Sequence, residues 1–242
     1  MNNIITLVTG AGSGIGEEIA KKFYEEGHFV YLLCHKNNQK RKLEKYFDKD
    51  RVTFFVGDLN NRRFIEKVGR KVRYVNNLVN NAGIANKDYF LNVKSKDLDK
   101  LININFKSYF LLSQIFAKKM VTNRIKGSIT SISSQLGHMG AFNRTVYSAA
   151  KFALEGFTKC AAMDLGKYGI RVNTVAPTKT IVSEIERKKT KKRLDLIKKK
   201  IPLNKFSTTV EIAAIAYFLT TESANSITGT SIISDGGWTS GK

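Results

Sequence analysis

Apolar runs of strand length recur along this chain at 4–9, 29–34, 52–56, 77–79, 128–131, 171–175 and 231–233, with helix-like segments at 15–26, 38–48, 60–72, 95–121, 146–167 and 208–221 between them. Several of the runs are rich in Val and Ile and apolar at successive positions. A strand covered on both faces needs that pattern; a strand with one wet face would alternate. Strand alternating with helix over the whole length predicts an α/β chain built on a doubly wound parallel sheet of about seven strands, with helices on both faces. No linker, internal repeat or low-complexity tract divides residues 1–242, so one domain is expected. Thr208 and Glu211 have the spacing of a capping box and mark the start of the last helix.

Bulk properties exclude several classes. No run approaches the ~20 apolar residues of a membrane span. The first residues lead straight into the apolar run at 4–8 with no charged leader, so a cytoplasmic protein is expected. Cys34 and Cys160 are the only cysteines and His28, His35 and His138 the only histidines, too few for a disulfide framework or a metal site. The net charge is +21, with a dense basic run at 187–193. Such a balance can serve a polyanion, but no helix-turn-helix, RNA-binding or zinc pattern accompanies it, and a chain rich in Lys, Asn and Ile carries basic residues everywhere. Nucleic acid is not an expected partner.

The first strand runs into TGAGSGIGEEIAKKF. Gly10, Gly14 and Gly16 fall in a strand-to-helix turn, where absent side chains let the backbone approach a pyrophosphate and the following helix aims its N-terminal N–H groups at it. Ser13 and Ile15 share the turn. A carboxylate at the end of the second strand would bind the adenosine ribose hydroxyls and repel a 2′-phosphate. Here Cys34, His35 and Lys36 occupy the place, and no acidic residue follows until Glu44. The cofactor expected is therefore NADP(H) in preference to NAD(H), through His35 and Lys36.

A second pair stands out in RTVYSAAKF: Tyr147 and Lys151 lie one helical turn apart on one face. A tyrosine alone holds its proton to a pKa near ~10. A cation one turn away favours the phenolate and brings the group toward working pH, which would make the pair a proton-transfer device. Two amphipathic side chains on a wet helix face would share the spacing.

Taken together, four motifs in fixed order give the chain a resemblance to the short-chain dehydrogenase/reductase family over nearly its whole length. They are TGAGSGIG at 9–16, NNAG at 80–83, YSAAK at 147–151 with Ser134 thirteen residues before Tyr147, and SDGGW at 234–238. The resemblance implies a single Rossmann-type domain and an NAD(P)-dependent oxidoreductase interconverting a ketone and a secondary alcohol. Tyr147 would be the general acid, giving its proton to the substrate oxygen as hydride arrives from the nicotinamide. Lys151 would lower the tyrosine pKa and hold the nicotinamide ribose, Ser134 would bind the carbonyl oxygen, and Asn105 would link the lysine through water to solvent. Asp58 and Leu59 would meet the adenine, Asn81, Ala82 and Gly83 the adenosine side, and Pro177 and Thr178 the nicotinamide amide. Two departures from the family pattern stand out: Thr178 follows Pro177 where glycine is usual, with Thr180 and Ser183 as neighbouring hydroxyls, and Ser13 stands where many NADP-using relatives carry arginine. Relatives also imply a homotetramer.

The segment 181–206 would be a substrate lid, and it holds the basic run. A 3-oxoacyl thioester on an acidic carrier protein suits that charge. Arg144, three residues before Tyr147, suits a small polar keto or hydroxy compound such as a sugar acid, by bidentate pairing with a carboxylate. His138 and Met139 are expected on the same wall. The rival reading is a non-catalytic NAD(P)-binding sensor with the same fold, from which a substrate panel with both cofactors separates the enzyme.

Overall fold

The structure is a computed structural model that describes residues 4–180 and 194–241. Its strands are β1 (Ile5–Thr9), β2 (Phe29–Cys34), β3 (Val52–Val56), β4 (Asn77–Asn80), β5 (Ser128–Ile132), β6 (Arg171–Pro177) and β7 (Ser231–Ser234). They form one parallel sheet in the order β3-β2-β1-β4-β5-β6-β7. The helices are α1 (Gly14–Glu25), α2 (Asn37–Leu43), α3 (Arg62–Lys71), α4 (Ser95–Ile102), α5 (Ser108–Thr122), α6 (Thr145–Gly166) and, last, α7 (Thr209–Phe218).

Successive strand residues feed opposite cores, which is why the runs are continuously apolar. Val8, Leu32 and Val79 pack with Ile19 and Phe23 of α1 and with Ile212 and Ala216 of α7. Leu7, Leu33 and Leu78 pack on the other face with Val68 of α3 and with Leu112 and Phe116 of α5. The winding reverses between β1 and β4, so the connections leaving their carboxyl ends part to opposite faces. A crevice opens at such a switch point.

Two of the expected helices change shape. The one predicted at 38–48 stops at Leu43. Beyond it the chain turns to bury Phe47, whose ring meets that of Tyr24 at 4.9 Å, and the Tyr24 hydroxyl donates to the Asp48 carboxylate. The helix predicted at 95–121 is interrupted between α4 and α5 by a π-helical stretch, Asn103–Lys107. Such widened turns re-aim side chains, and this one carries Asn105.

The capping box forms as expected: Thr208 Oγ1 accepts the Glu211 N–H at 3.1 Å, and Glu211 Oε2 accepts the Thr208 N–H at 2.8 Å. Thr208→Ala leaves one of those N–H groups unpaired. It is expected to lower the unfolding free energy by about 1 kcal/mol in denaturant titration and to leave cofactor binding unchanged.

Candidate active site

Thr9 and Asn81 tie the ends of β1 and β4 together across the switch point. Asn81 Nδ2 donates to the carbonyls of Thr9 and Gly10 at 3.0 and 3.2 Å. In return, Thr9 Oγ1 accepts the N–H groups of Asn81 and Ala82 at 2.9 and 3.0 Å. The glycines of the turn fit inside this clasp. Gly10 has φ +64°, a left-handed conformation that costs glycine little. A Cβ on Gly16 would lie 2.2 Å from the Gly10 carbonyl oxygen and 2.3 Å from Asn81 Nδ2, so no side chain is tolerated there.

A cavity of about 430 Å³ opens above the turn. Gly10, Ser13, Gly14, Ile15 and Gly16 line one wall, and Asn81, Ala82 and Gly83 another. Asp58, Leu59 and His35 close its far end. Lys36, expected beside His35, does not line the cavity; it stands exposed as the residue preceding α2. Gln39 explains the shift. Its Oε1 accepts the backbone N–H groups of both His35 and Lys36 at 3.1 Å, and its side chain fills the space over Gly12.

A second cavity of about 410 Å³ is contiguous with the first, since Ile15, Asn81, Gly83 and Ile84 border both. Ser134, Tyr147, Lys151, Arg144, Pro177 and Thr178 line it. Ser134 begins the short turn after β5 and accepts the Leu136 N–H at 3.2 Å. Arg144 precedes the first residue of α6 and donates from Nη1 to the Asn86 carbonyl, which holds the guanidinium at the wall. The Thr178 hydroxyl is buried without a hydrogen-bond partner, and it is suited to an amide group brought by a ligand.

Burial raises the Tyr147 pKa, opposed by a hydrogen bond with Ser134 and by the charge of Arg144. Lys151 is buried, donates to the Ile132 carbonyl at 2.8 Å, and has its pKa drawn down to about 7 by desolvation, opposed by the charge of Glu155. Asn105 is wholly buried and clasps the backbone of Ile84, accepting its N–H at 2.9 Å and donating to its carbonyl at 2.7 Å. That leaves one amide N–H and one lone pair for a further partner.

His138 turns away from the substrate wall, its Nε2 3.0 Å from Ser231 Oγ and 3.3 Å from Glu155 Oε1. Met139 does not border the cavity either. Thr180 borders it, with its hydroxyl donating to the Thr178 carbonyl at 3.3 Å. Of the proposed lid only 194–206 is described, where Leu194, Ile201 and Phe206 form a small core with Trp238. Ser183 and the basic run at 187–193 lie outside the described residues.

Comparison with known proteins decides the family. A family model described as enoyl-(acyl carrier protein) reductase matches residues 10–239. A 3-oxoacyl-[acyl-carrier-protein] reductase of Rickettsia conorii is 35% identical over 96% of this chain and 95% of its own. The chain belongs to the short-chain dehydrogenase/reductase family. A member of this family from Burkholderia thailandensis superposes with a TM-score of 0.90 at 27% identity, over 100% of this chain and 95% of its own. A 4-hydroxyisoleucine dehydrogenase complexed with NADH superposes with a TM-score of 0.93 at 32% identity, over 99% of this chain and 100% of its own. This short-chain dehydrogenase/reductase is accordingly an oxidoreductase acting on CH–OH groups, and the glycine turn, the clasp and the unpaired Thr178 hydroxyl fit a nicotinamide dinucleotide.

Three residues at this dehydrogenase's site escaped the sequence reading. Gln39 had a signal, since a glutamine at the third position of a helix often bonds back to the residue before it. Glu155 lies four residues after Lys151 on α6 and was legible as a helix neighbour. Tyr109 gave none: on α5 it reads as one more apolar position.

Gly16→Ala places a methyl against the Gly10 carbonyl. The variant is expected to bind reduced nicotinamide dinucleotide roughly tenfold or more weakly in a fluorescence titration.

Proposed function

We propose that this protein interconverts a ketone and a secondary alcohol with NADP(H), Tyr147 acting as the general acid and base. The observation that carries the reading is the meeting of Tyr147, Ser134 and Lys151 in a cavity continuous with the dinucleotide-sized crevice of the glycine turn. A bound reduced nicotinamide supplies the hydride. Ser134 donates to the carbonyl oxygen and holds it beside Tyr147, which is positioning together with polarisation. Tyr147 gives its proton to that oxygen. A positioned acid of this kind contributes ~10²–10⁴-fold. Lys151 holds the nicotinamide ribose, and Asn105 passes protons onward from it.

The residues at the end of β2 support NADP(H). Cys34, His35 and Gln39 border the adenosine end, and no carboxylate of β2 reaches it. Binding of NADH ten times tighter than NADPH would contradict this reading. The family resemblance implies a homotetramer, and the exposed apolar side chains Phe110, Phe152 and Met163 of α5 and α6 support self-association.

For the substrate, the second cavity favours a small anionic compound. Among the described residues, the charged ones bordering it are Arg144, Lys151 and Lys179, and no acidic side chain does. With one N–H on the Asn86 carbonyl, the Arg144 guanidinium retains others for a carboxylate, as a keto or hydroxy acid would bring. The relative acting on 4-hydroxyisoleucine, an amino acid with a secondary alcohol, supports this class. A 3-oxoacyl thioester on a carrier protein is the second reading, favoured by the Rickettsia relative and by the basic run.

Tyr147→Phe is expected to lower turnover by three orders of magnitude or more (~10³ or above, the upper range for a lost general acid) and to leave NADPH affinity within about twofold. Retention of full activity would sink the mechanism. Arg144→Ala should raise KM for keto acids roughly tenfold or more and leave neutral ketones unaffected; an equal effect on both would favour the thioester reading. The reduction rate should fall as pH rises through the Lys151 pKa of about 7, because the ammonium is lost there.

A further inference from the structure

Lys151 has to stay charged where water does not reach it. Its Nζ makes one hydrogen bond, to the Ile132 carbonyl at 2.8 Å, and the side chain is 4% exposed. A buried ammonium with so little replacing its hydration tends to lose its proton. Two groups outside the proposed chemistry face it. The ring of Tyr109, from α5, lies 5.4 Å from Nζ, with the Tyr147 ring at 5.7 Å, so the cation sits between two aromatic faces. Glu155, one turn further along α6, is buried and its charge favours the ammonium. The carboxylate is itself held: Oε2 accepts from Thr174 Oγ1 of β6 at 2.9 Å, and Oε1 lies 3.3 Å from His138 Nε2.

We propose that Tyr109 and Glu155 are positioning residues that keep Lys151 in its charged form, the ring by a cation–π contact and the carboxylate by its field. The proposal rests on the reading of Lys151 as the cofactor-holding cation. Tyr109 acts through its ring and not its hydroxyl, which is buried without a hydrogen-bond partner. Cation–π contacts strengthen when both partners are desolvated, and Tyr109 is 0% exposed. The remaining titratable or charged groups near Lys151 are Tyr147 on α6, Arg144 just before it, Lys179 after β6 and His138 in the turn after β5; β6 presents the Thr174 hydroxyl to Glu155. With the lysine pKa drawn to about 7, the charged and neutral forms are balanced at neutral pH, so the loss of either support shifts the population.

The test measures NADPH affinity against pH by fluorescence, which needs no substrate, for wild type, Tyr109→Phe, Tyr109→Leu and Glu155→Gln. Wild-type affinity should fall as pH rises through the Lys151 pKa, and Lys151→Ala should abolish that midpoint. Tyr109→Leu and Glu155→Gln should each move the midpoint down by about one pH unit, whereas Tyr109→Phe, which keeps the ring, should leave it in place. Glu155→Gln is nearly isosteric and decides the matter alone if Tyr109→Leu does not fold. Midpoints unmoved in Glu155→Gln and Tyr109→Leu, a midpoint that persists in Lys151→Ala, or a Phe variant displaced as far as the Leu variant would overturn the proposal. If the midpoints move as expected and no carbonyl compound is reduced, the support of Lys151 stands and the catalytic reading falls.

Discussion

The clasp between Thr9 and Asn81 is the constraint on which the rest of the structure depends. β1 and β4 are neighbours whose connections leave on opposite faces, and the ladder pairing them runs only to Val8 and Val79, so other contacts must hold together the residues that follow. Four hydrogen bonds do so, two given by the Asn81 amide and two received by the Thr9 hydroxyl. They fix the Gly10 carbonyl, and that carbonyl is what forbids a side chain at Gly16. The close approach of α1 to the turn, and with it the phosphate-sized floor of the crevice, follows from the clasp.

Desolvation governs the other half of the site. Helix spacing alone suggested that Lys151 would pull the Tyr147 pKa down. In the folded chain the ammonium lies against the face of the tyrosine ring and bonds to Ile132, and it is Ser134 and Arg144 that oppose the effect of burial on the tyrosine. Burial keeps the tyrosine protonated, ready to donate, and weakens the hold of Lys151 on its own proton. The two effects pull in opposite functional directions, and it is around this lysine that a buried carboxylate and a second aromatic ring are packed.

The strands were legible nearly to the residue because both faces of the sheet are buried, and continuous apolar runs leave little freedom of register. The glycine turn was legible from local spacing, and the family resemblance together with helix spacing pointed to Ser134, Tyr147 and Arg144, which the structure brings to one cavity. What escaped depends on long-range packing. The break between α4 and α5 follows from Asn105 turning inward to the backbone of Ile84, a partner 21 residues away. Gln39 displaces Lys36 from the cavity through its fit against Gly12, and His138 leaves the substrate wall because Glu155 and Ser231 lie on its other side. None of these has a periodicity to read.

The measurement that tests the central claim most directly is transfer of deuterium from NADPH deuterated at both C4 positions to a panel of keto acids and neutral ketones, followed by mass spectrometry of the products. The account predicts one deuterium on the carbinol carbon of at least one alcohol product. Tight binding of the labelled cofactor with no transfer to any carbonyl compound would contradict it and leave a protein that senses the dinucleotide without using it.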